Sequence, residues 1–166
     1  MMEGKMYQKI LVPLDGSELA ECVLPHVEAI ATGCGVRDIT FLRVVKPFLI
    51  PSGSAEDAIG FSKEDVDRID FENRRAAEDY LNNIVSRARY DPANVHTEVL
   101  LGKVADSIID YAGKYEADLI AIATHGRSGI SRWAHGSVAD RVFRSVNAPV
   151  LLVRAPGFKP WASTLR

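Results

Sequence analysis

Five short runs of apolar residues recur along the chain, and each is bounded by turn-forming residues. Most of them are nearly continuous and rich in β-branched and aromatic side chains, the pattern of strands that are buried on both faces of a sheet. We therefore predict five β-strands. They cover residues Gln8–Leu14, Ile39–Val45, Val95–Leu101, Leu119–Ala123 and Pro149–Val153.

The segments between these runs carry apolar residues at helical spacing with charged residues between them, which predicts four amphipathic helices. They cover about residues 17–33, 65–89, 104–112 and 137–146. Ser17 is suited to cap the first helix, and Gly33-Cys34-Gly35 marks its end. Pro25 fits poorly inside one straight helix.

Strands that alternate with helices predict an α/β fold, in which helices cover both faces of a five-stranded parallel sheet. We expect one domain over residues 1–155 and a C-terminal tail over residues 156–166, because no repeat or linker divides the chain. The stretch from Lys46 to Ser62 has no periodicity and predicts a long connection, which in a compact domain is either functional or mobile.

The overall charge argues against a nucleic-acid partner. The 166 residues include 20 Lys and Arg against 22 Asp and Glu, a formal net charge of -2, so there is no basic excess to bind phosphate backbones. The start of the chain does not resemble a signal peptide, and no apolar run approaches the roughly 20 residues that span a bilayer. We expect a cytoplasmic protein without a membrane partner.

The chain contains two cysteines, Cys22 and Cys34. If both lie on the first predicted helix, twelve residues place them roughly 18 Å apart along its axis, too far for a disulfide. Unpaired thiols fit a reducing compartment.

Ligands of an open α/β sheet bind beyond the carboxyl ends of the strands, where neighbouring connections leave on opposite faces. The loop after the first strand holds Asp15, which can hydrogen-bond a ribose hydroxyl or an adenine amine, or simply cap the following helix. The loop after the fourth strand holds Gly126, Arg127 and Gly129. These glycines allow a ligand to approach the backbone or merely form a turn, and Arg127 can supply positive charge.

The last predicted helix begins at Gly136-Ser137. A helix N-terminus offers free N–H groups and a partial positive charge, so this junction suits a phosphate group, although Ser137 can equally be a simple helix cap. The positions of His125 and His135 do not have the spacing of metal ligands, and we predict no metal site on the protein.

Known enzyme signatures are absent from the sequence. There is no P-loop, no complete G-x-G-x-x-G fingerprint, and Gly126-Arg127-Ser128-Gly129 is one residue short of a nucleophile elbow. No acid and base pair stands out, so we assign no catalytic residue.

Several segments together resemble the universal stress protein family over about residues 6–154. They are Ile10–Ser17, Val99–Gly102, Ala123–Ser137 and Pro149–Val153. The nucleotide-binding branch of that family carries glycine, two residues, glycine, nine residues, then glycine and serine or threonine. Gly126, the nine residues that follow it, and Gly136-Ser137 match this pattern, whereas Ala123 stands in place of its first glycine.

This resemblance implies the strand order 3-2-1-4-5 and ATP, with Mg²⁺, in the crevice between the first and fourth strands. Pro13, Asp15 and the backbone near Val44 would line the adenine and ribose. Ile122 and Gly126 would face the sugar and phosphates, and Gly136, Ser137 and Val138 would hold the phosphates.

The resemblance also implies a homodimer, and the apolar run from Val150 to Val153 offers a reason, since an edge strand of this kind needs a partner. Three functions stay open on the sequence. The first is an ATP-binding switch or sensor in stress responses with slow or absent hydrolysis. The others are a dimeric interaction module that does not bind nucleotide, and a weak ATPase.

Overall fold

The structure, a computed structural model, describes residues 6–49, 62–87, 90–91, 93–124 and 137–154. Ten elements follow one another along these residues. They are β1 (Lys9–Pro13), a 3-10 turn (Ala20–Val23), α1 (Leu24–Cys34), β2 (Asp38–Val45), α2 (Lys63–Arg87), β3 (Asn94–Leu101), α3 (Val104–Tyr115), β4 (Leu119–Thr124), α4 (Ser137–Ser145) and β5 (Val150–Arg154). The expected tail over residues 156–166 and most of the connection over 46–62 lie outside the described residues.

The five strands form one parallel sheet in the order β3-β2-β1-β4-β5, which confirms the predicted fold class and strand order. The chain moves outward from β1 to β2 and β3, then returns to the other side of β1 for β4 and β5. The connections on the two sides of β1 therefore leave on opposite faces, and a crevice opens between β1 and β4 at their carboxyl ends.

Successive residues of the central strands belong to two separate cores. Val12 and Phe41 pack on one face with α1 and α2, whereas Leu11 and Leu42 pack on the other face with α3 and α4. This explains why the central runs are continuously apolar. The edge strand β3 differs from that pattern, since Val99 is its only fully buried residue.

The predicted first helix over residues 17–33 is wrong in one respect, because the structure divides it into the 3-10 turn and α1. Pro25 lies in the first turn of α1, where its missing N–H costs nothing. Cys22 consequently lies in the 3-10 turn and Cys34 at the end of α1, and both thiols are free. Gly35 ends α1 in the left-handed conformation, with φ 59°.

None of the helices in the described ranges is both long enough and apolar enough to cross a membrane.

Candidate functional site

A cavity of about 670 Å³ opens at the carboxyl edge of the sheet, over the crevice between β1 and β4. Its walls come from the ends of β1, β2 and β4, from the first turns of α3 and α4, from the middle of α2 and from the 3-10 turn. The six predicted site residues that the structure describes all line it. They are Pro13, Asp15, Val44, Ile122, Ser137 and Val138. Residues far apart in sequence thus meet around one space large enough for a small-molecule ligand.

The other four predicted site residues lie outside the described residues. They are Gly126, Arg127, Gly129 and Gly136. Ala123, the departure from the family pattern, lies in the cavity wall. Its methyl group therefore adjoins the space where a ligand would lie.

The loop after β1 is organised by its own side chains. Oδ1 of Asp15 accepts hydrogen bonds from the backbone N–H of Ser17, at 2.9 Å, and from its hydroxyl, at 2.6 Å. Oγ of Ser17 in turn accepts a hydrogen bond from the N–H of Ala20 at 3.2 Å. Ser17 rather than Asp15 therefore satisfies the start of the 3-10 turn, and Oδ2 of Asp15 has no hydrogen bond within the described residues.

The backbone of Val44 also faces the cavity. β1 and β2 pair up to Pro13 and Leu42, and the last bond between them runs from the N–H of Leu14 to the carbonyl of Leu42 at 2.8 Å. Peptide groups two residues apart on a strand point to the same side, so the N–H and C=O of Val44 point in the same direction as those of Leu42. Because β1 ends before it reaches Val44, these two groups face the cavity and not a neighbouring strand. They present one donor and one acceptor at the cavity wall.

Several cavity residues were not predicted from the sequence, and two of them carry polar groups that contact each other, Arg43 of β2 and Tyr80 of α2. The guanidinium carbon of Arg43 lies 5.3 Å from the ring centroid of Tyr80, a cation–π arrangement. Nε and Nη1 of Arg43 and the hydroxyl of Tyr80 are buried, and none of them has a hydrogen-bond partner among the residues that the structure describes. A charged residue inside the apolar run Ile39–Val45 was the sequence signal for Arg43, but nothing in the sequence connected it with Tyr80.

Burial raises the pKa of Tyr80 to about 12, and the nearby negative charge of Glu21 adds to this rise in pKa. Burial likewise raises the pKa of Tyr90 to about 12. In the unfolded chain the pKa of a tyrosine is about 10. A tyrosine whose pKa is raised to about 12 by folding stabilises the folded state below pH 10, and this stabilisation is lost as the pH rises from 10 to 12.

We therefore expect the free energy of unfolding to decrease as the pH rises from 10 to 12, because the unfolded chain releases its phenolic protons first. Urea unfolding at a series of pH values should show this decrease in the wild type. It should be shallower in Tyr80→Phe and in Tyr90→Phe, since each lacks one of the two hydroxyls. Equal slopes in all three proteins would contradict the expectation.

Across the part of the chain that the structure describes, no three His, Cys, Asp or Glu side chains come together in a way that could hold a metal ion.

Comparison with known proteins gives consistent matches over nearly the whole chain. The model of the Universal stress protein family matches residues 6–154. A universal stress protein of Methanocaldococcus jannaschii is 32% identical over 154 residues, which cover 91% of this chain and 84% of that relative. The solved structure of protein MJ0577, from the same organism, is 26% identical with a TM-score of 0.72, and the match covers 92% of this chain and 99% of that chain.

Two more distant structures of this fold were solved with nucleotides. A universal stress protein in complex with cAMP is 19% identical with a TM-score of 0.59, over 91% of this chain and 99% of that chain. A universal stress protein family protein from Arabidopsis thaliana with AMP bound is 14% identical with a TM-score of 0.61, over 90% of this chain and 93% of that chain. At these identities the likeness shows a shared fold alone.

Proposed function

The chain belongs to the universal stress protein family, and on this premise we propose that it binds ATP, with Mg²⁺, in the cavity at the carboxyl edge of its sheet. Binding rather than turnover would be its activity, as a nucleotide-dependent switch or sensor in the cytoplasm. The observation that carries the proposal is the convergence of six residues, predicted from the sequence, on one cavity.

The chemistry of the cavity suits each part of an adenine nucleotide. The free N–H and C=O of Val44 match the acceptor and donor that adenine presents at its edge. Oδ2 of Asp15 is available to a ribose hydroxyl. The first turn of α4 contains Ser137 and Val138, and the N–H groups of a first turn have no acceptor within their own helix, so they are suited to phosphate oxygens.

The metal ion would need no cluster of protein ligands. Mg²⁺ in nucleotide sites is held largely by the phosphates and water, with one or two carboxylates at most. Asp15, which is exposed and lines the cavity just after β1, is the candidate carboxylate. The donor set of the cavity is therefore compatible with a nucleotide that carries its own Mg²⁺.

Titration calorimetry with ATP and Mg²⁺ tests the proposal, after any nucleotide that co-purifies has been extracted. Wild type should bind saturably. Gly136→Val should weaken binding at least about tenfold, because a branched side chain there blocks approach to the helix N-terminus. Ala123→Gly should tighten it, because it removes a methyl group from the cavity wall.

Gly113→Ala is the matched control, since a Cβ at this helical glycine meets open space and lies away from the cavity. It should bind ATP like the wild type. If the stripped wild type binds no nucleotide at millimolar concentration, the proposal fails and the chain is better described as an interaction module of the same fold.

We also propose that two copies pair through β5. This strand is an edge of the sheet, and Val150, Leu151 and Leu152 are only partly buried in the single chain. Exposed edges with apolar side chains favour pairing with another strand. Sedimentation velocity at micromolar protein should therefore show a dimer, and a single monomer species would contradict this pairing.

A further inference from the structure

Arg43 occupies an unusual position for a charged residue. It lies in β2 and lines the cavity, and its alternation with Leu42 puts it on the same face of the sheet as Phe41, the face that α2 covers. On that face its guanidinium carbon lies 5.3 Å from the centroid of the Tyr80 ring, and the guanidinium occupies the space that a Cβ on Gly16 would need. Two neighbours from different parts of the chain therefore contact the guanidinium.

Two of the three nitrogens of this guanidinium have no hydrogen-bond partner among the described residues. Nε and Nη1 are buried and have no acceptor within the described residues. Neither acidic side chain near Tyr80 forms an ion pair with Arg43: Glu21 pairs with Arg87 at 2.9 Å, and Asp15 uses Oδ1 to accept hydrogen bonds from Ser17. A buried N–H donor that lacks an acceptor lowers the stability of the folded protein. An anionic ligand at Nε or Nη1 would supply the missing acceptor.

From this arrangement we infer that Arg43 forms an anion subsite in the cavity, which takes a carboxylate or phosphate group of a small ligand. A planar guanidinium binds either group through two parallel hydrogen bonds. Tyr80 is a positioning residue, because its ring holds the guanidinium in place through the cation–π contact.

Within the same cavity, this subsite lies at a different position from the proposed phosphate position at Ser137. β2 and β4 lie on opposite sides of β1, so their axes are roughly 10 Å apart. In addition, Arg43 faces α2, whereas α4, which starts at Ser137, packs on the opposite face of the sheet. The inference therefore does not require the proposed nucleotide function.

Nitrogen-15 NMR of the arginine side chains tests the subsite directly. The Nε–H signal of Arg43, assigned by its absence from Arg43→Lys, should shift saturably when inorganic phosphate or acetate replaces chloride at constant ionic strength. Calorimetric affinity for phosphate should fall about tenfold or more in Arg43→Met, as expected for the loss of charge-assisted hydrogen bonds. Tyr80→Phe, which keeps the ring, should retain binding, whereas Tyr80→Leu should weaken it.

Arg75→Met is the matched control, because it is the same substitution at an exposed arginine of α2 that is not in the cavity wall, and it should leave phosphate binding unchanged. Ser137→Ala should leave the Arg43 signal responsive even if nucleotide binding is lost, which separates the two sites. Comparison of AMP with adenosine then shows whether the anion belongs to a nucleotide or arrives on its own. An Arg43 signal that responds to none of phosphate, acetate and AMP would overturn the inference.

Discussion

Phe41→Ala is expected to lower the free energy of unfolding by about 3–5 kcal/mol, the range for the loss of a large aromatic side chain from a packed core. Phe41 is fully buried in β2, and its ring lies 5.3 Å from that of Tyr90. It also belongs to the core that joins the central strands to α1 and α2, so the cavity left by alanine cannot be filled by a small local movement. Urea unfolding measures the loss.

Phe71→Ala is the matched control for this experiment. It is the same substitution in α2, but 66% of Phe71 is exposed. Removal of this ring should change stability by no more than about 0.5 kcal/mol, as for most surface substitutions. If the two variants lost similar stability, the assignment of Phe41 to the centre of the core would be wrong.

The central part of the fold was predictable because burial on both faces leaves a clear trace in the sequence. β1 and β4 are paired on both edges and covered on both faces, so they accept almost no polar side chains. β3 was found by its alternation instead. It is an edge strand, and its exposed positions include the polar residues Asn94, His96 and Thr97.

The first helix shows where local pattern failed. Apolar spacing from residue 17 onward predicted one helix, but Pro25 favours the first turn of a helix and not its interior. The structure satisfies both tendencies, with a 3-10 turn from Ala20 to Val23 and α1 from Leu24. The spacing fixed which face is buried, since Val23 and Val27 both lie in the core, and the proline fixed where the α-helix begins.

Site residues that lie at or just after strand ends could be predicted from the sequence. Site residues that reach the cavity from a helix packed across the sheet could not. Asp15 and Ser137 follow from the topology, because the carboxyl ends of parallel strands meet at one edge of the sheet, whereas Val44 came from the resemblance to the family. Tyr80 reaches the same cavity only because α2 packs across β2, and no local pattern encodes that contact. The sequence therefore indicated the crevice but not the arginine and tyrosine on its α2 side.

Gly16→Ala is expected to lower the free energy of unfolding by about 1–2 kcal/mol, because the backbone of Gly16 has φ +84°, a conformation that costs other residues about this much. Its new Cβ would also overlap the guanidinium of Arg43. The arginine must then leave its place against Tyr80, so the substitution should weaken phosphate binding at Arg43 as well as stability.

Gly33→Ala provides the opposite expectation with the same chemical change. Gly33 lies inside α1, and a Cβ there meets nothing within 4 Å, so alanine should stabilise the protein by about 0.5–1 kcal/mol through its higher helix propensity. Combining Gly16→Ala with Arg43→Met separates the two causes. If the double variant is more stable than the sum of the two single losses in free energy of unfolding predicts, the difference measures the clash between the new Cβ and the guanidinium. The loss that Gly16→Ala still causes in the Arg43→Met background measures the backbone strain. A Gly16→Ala protein as stable as the wild type would show that neither cause operates.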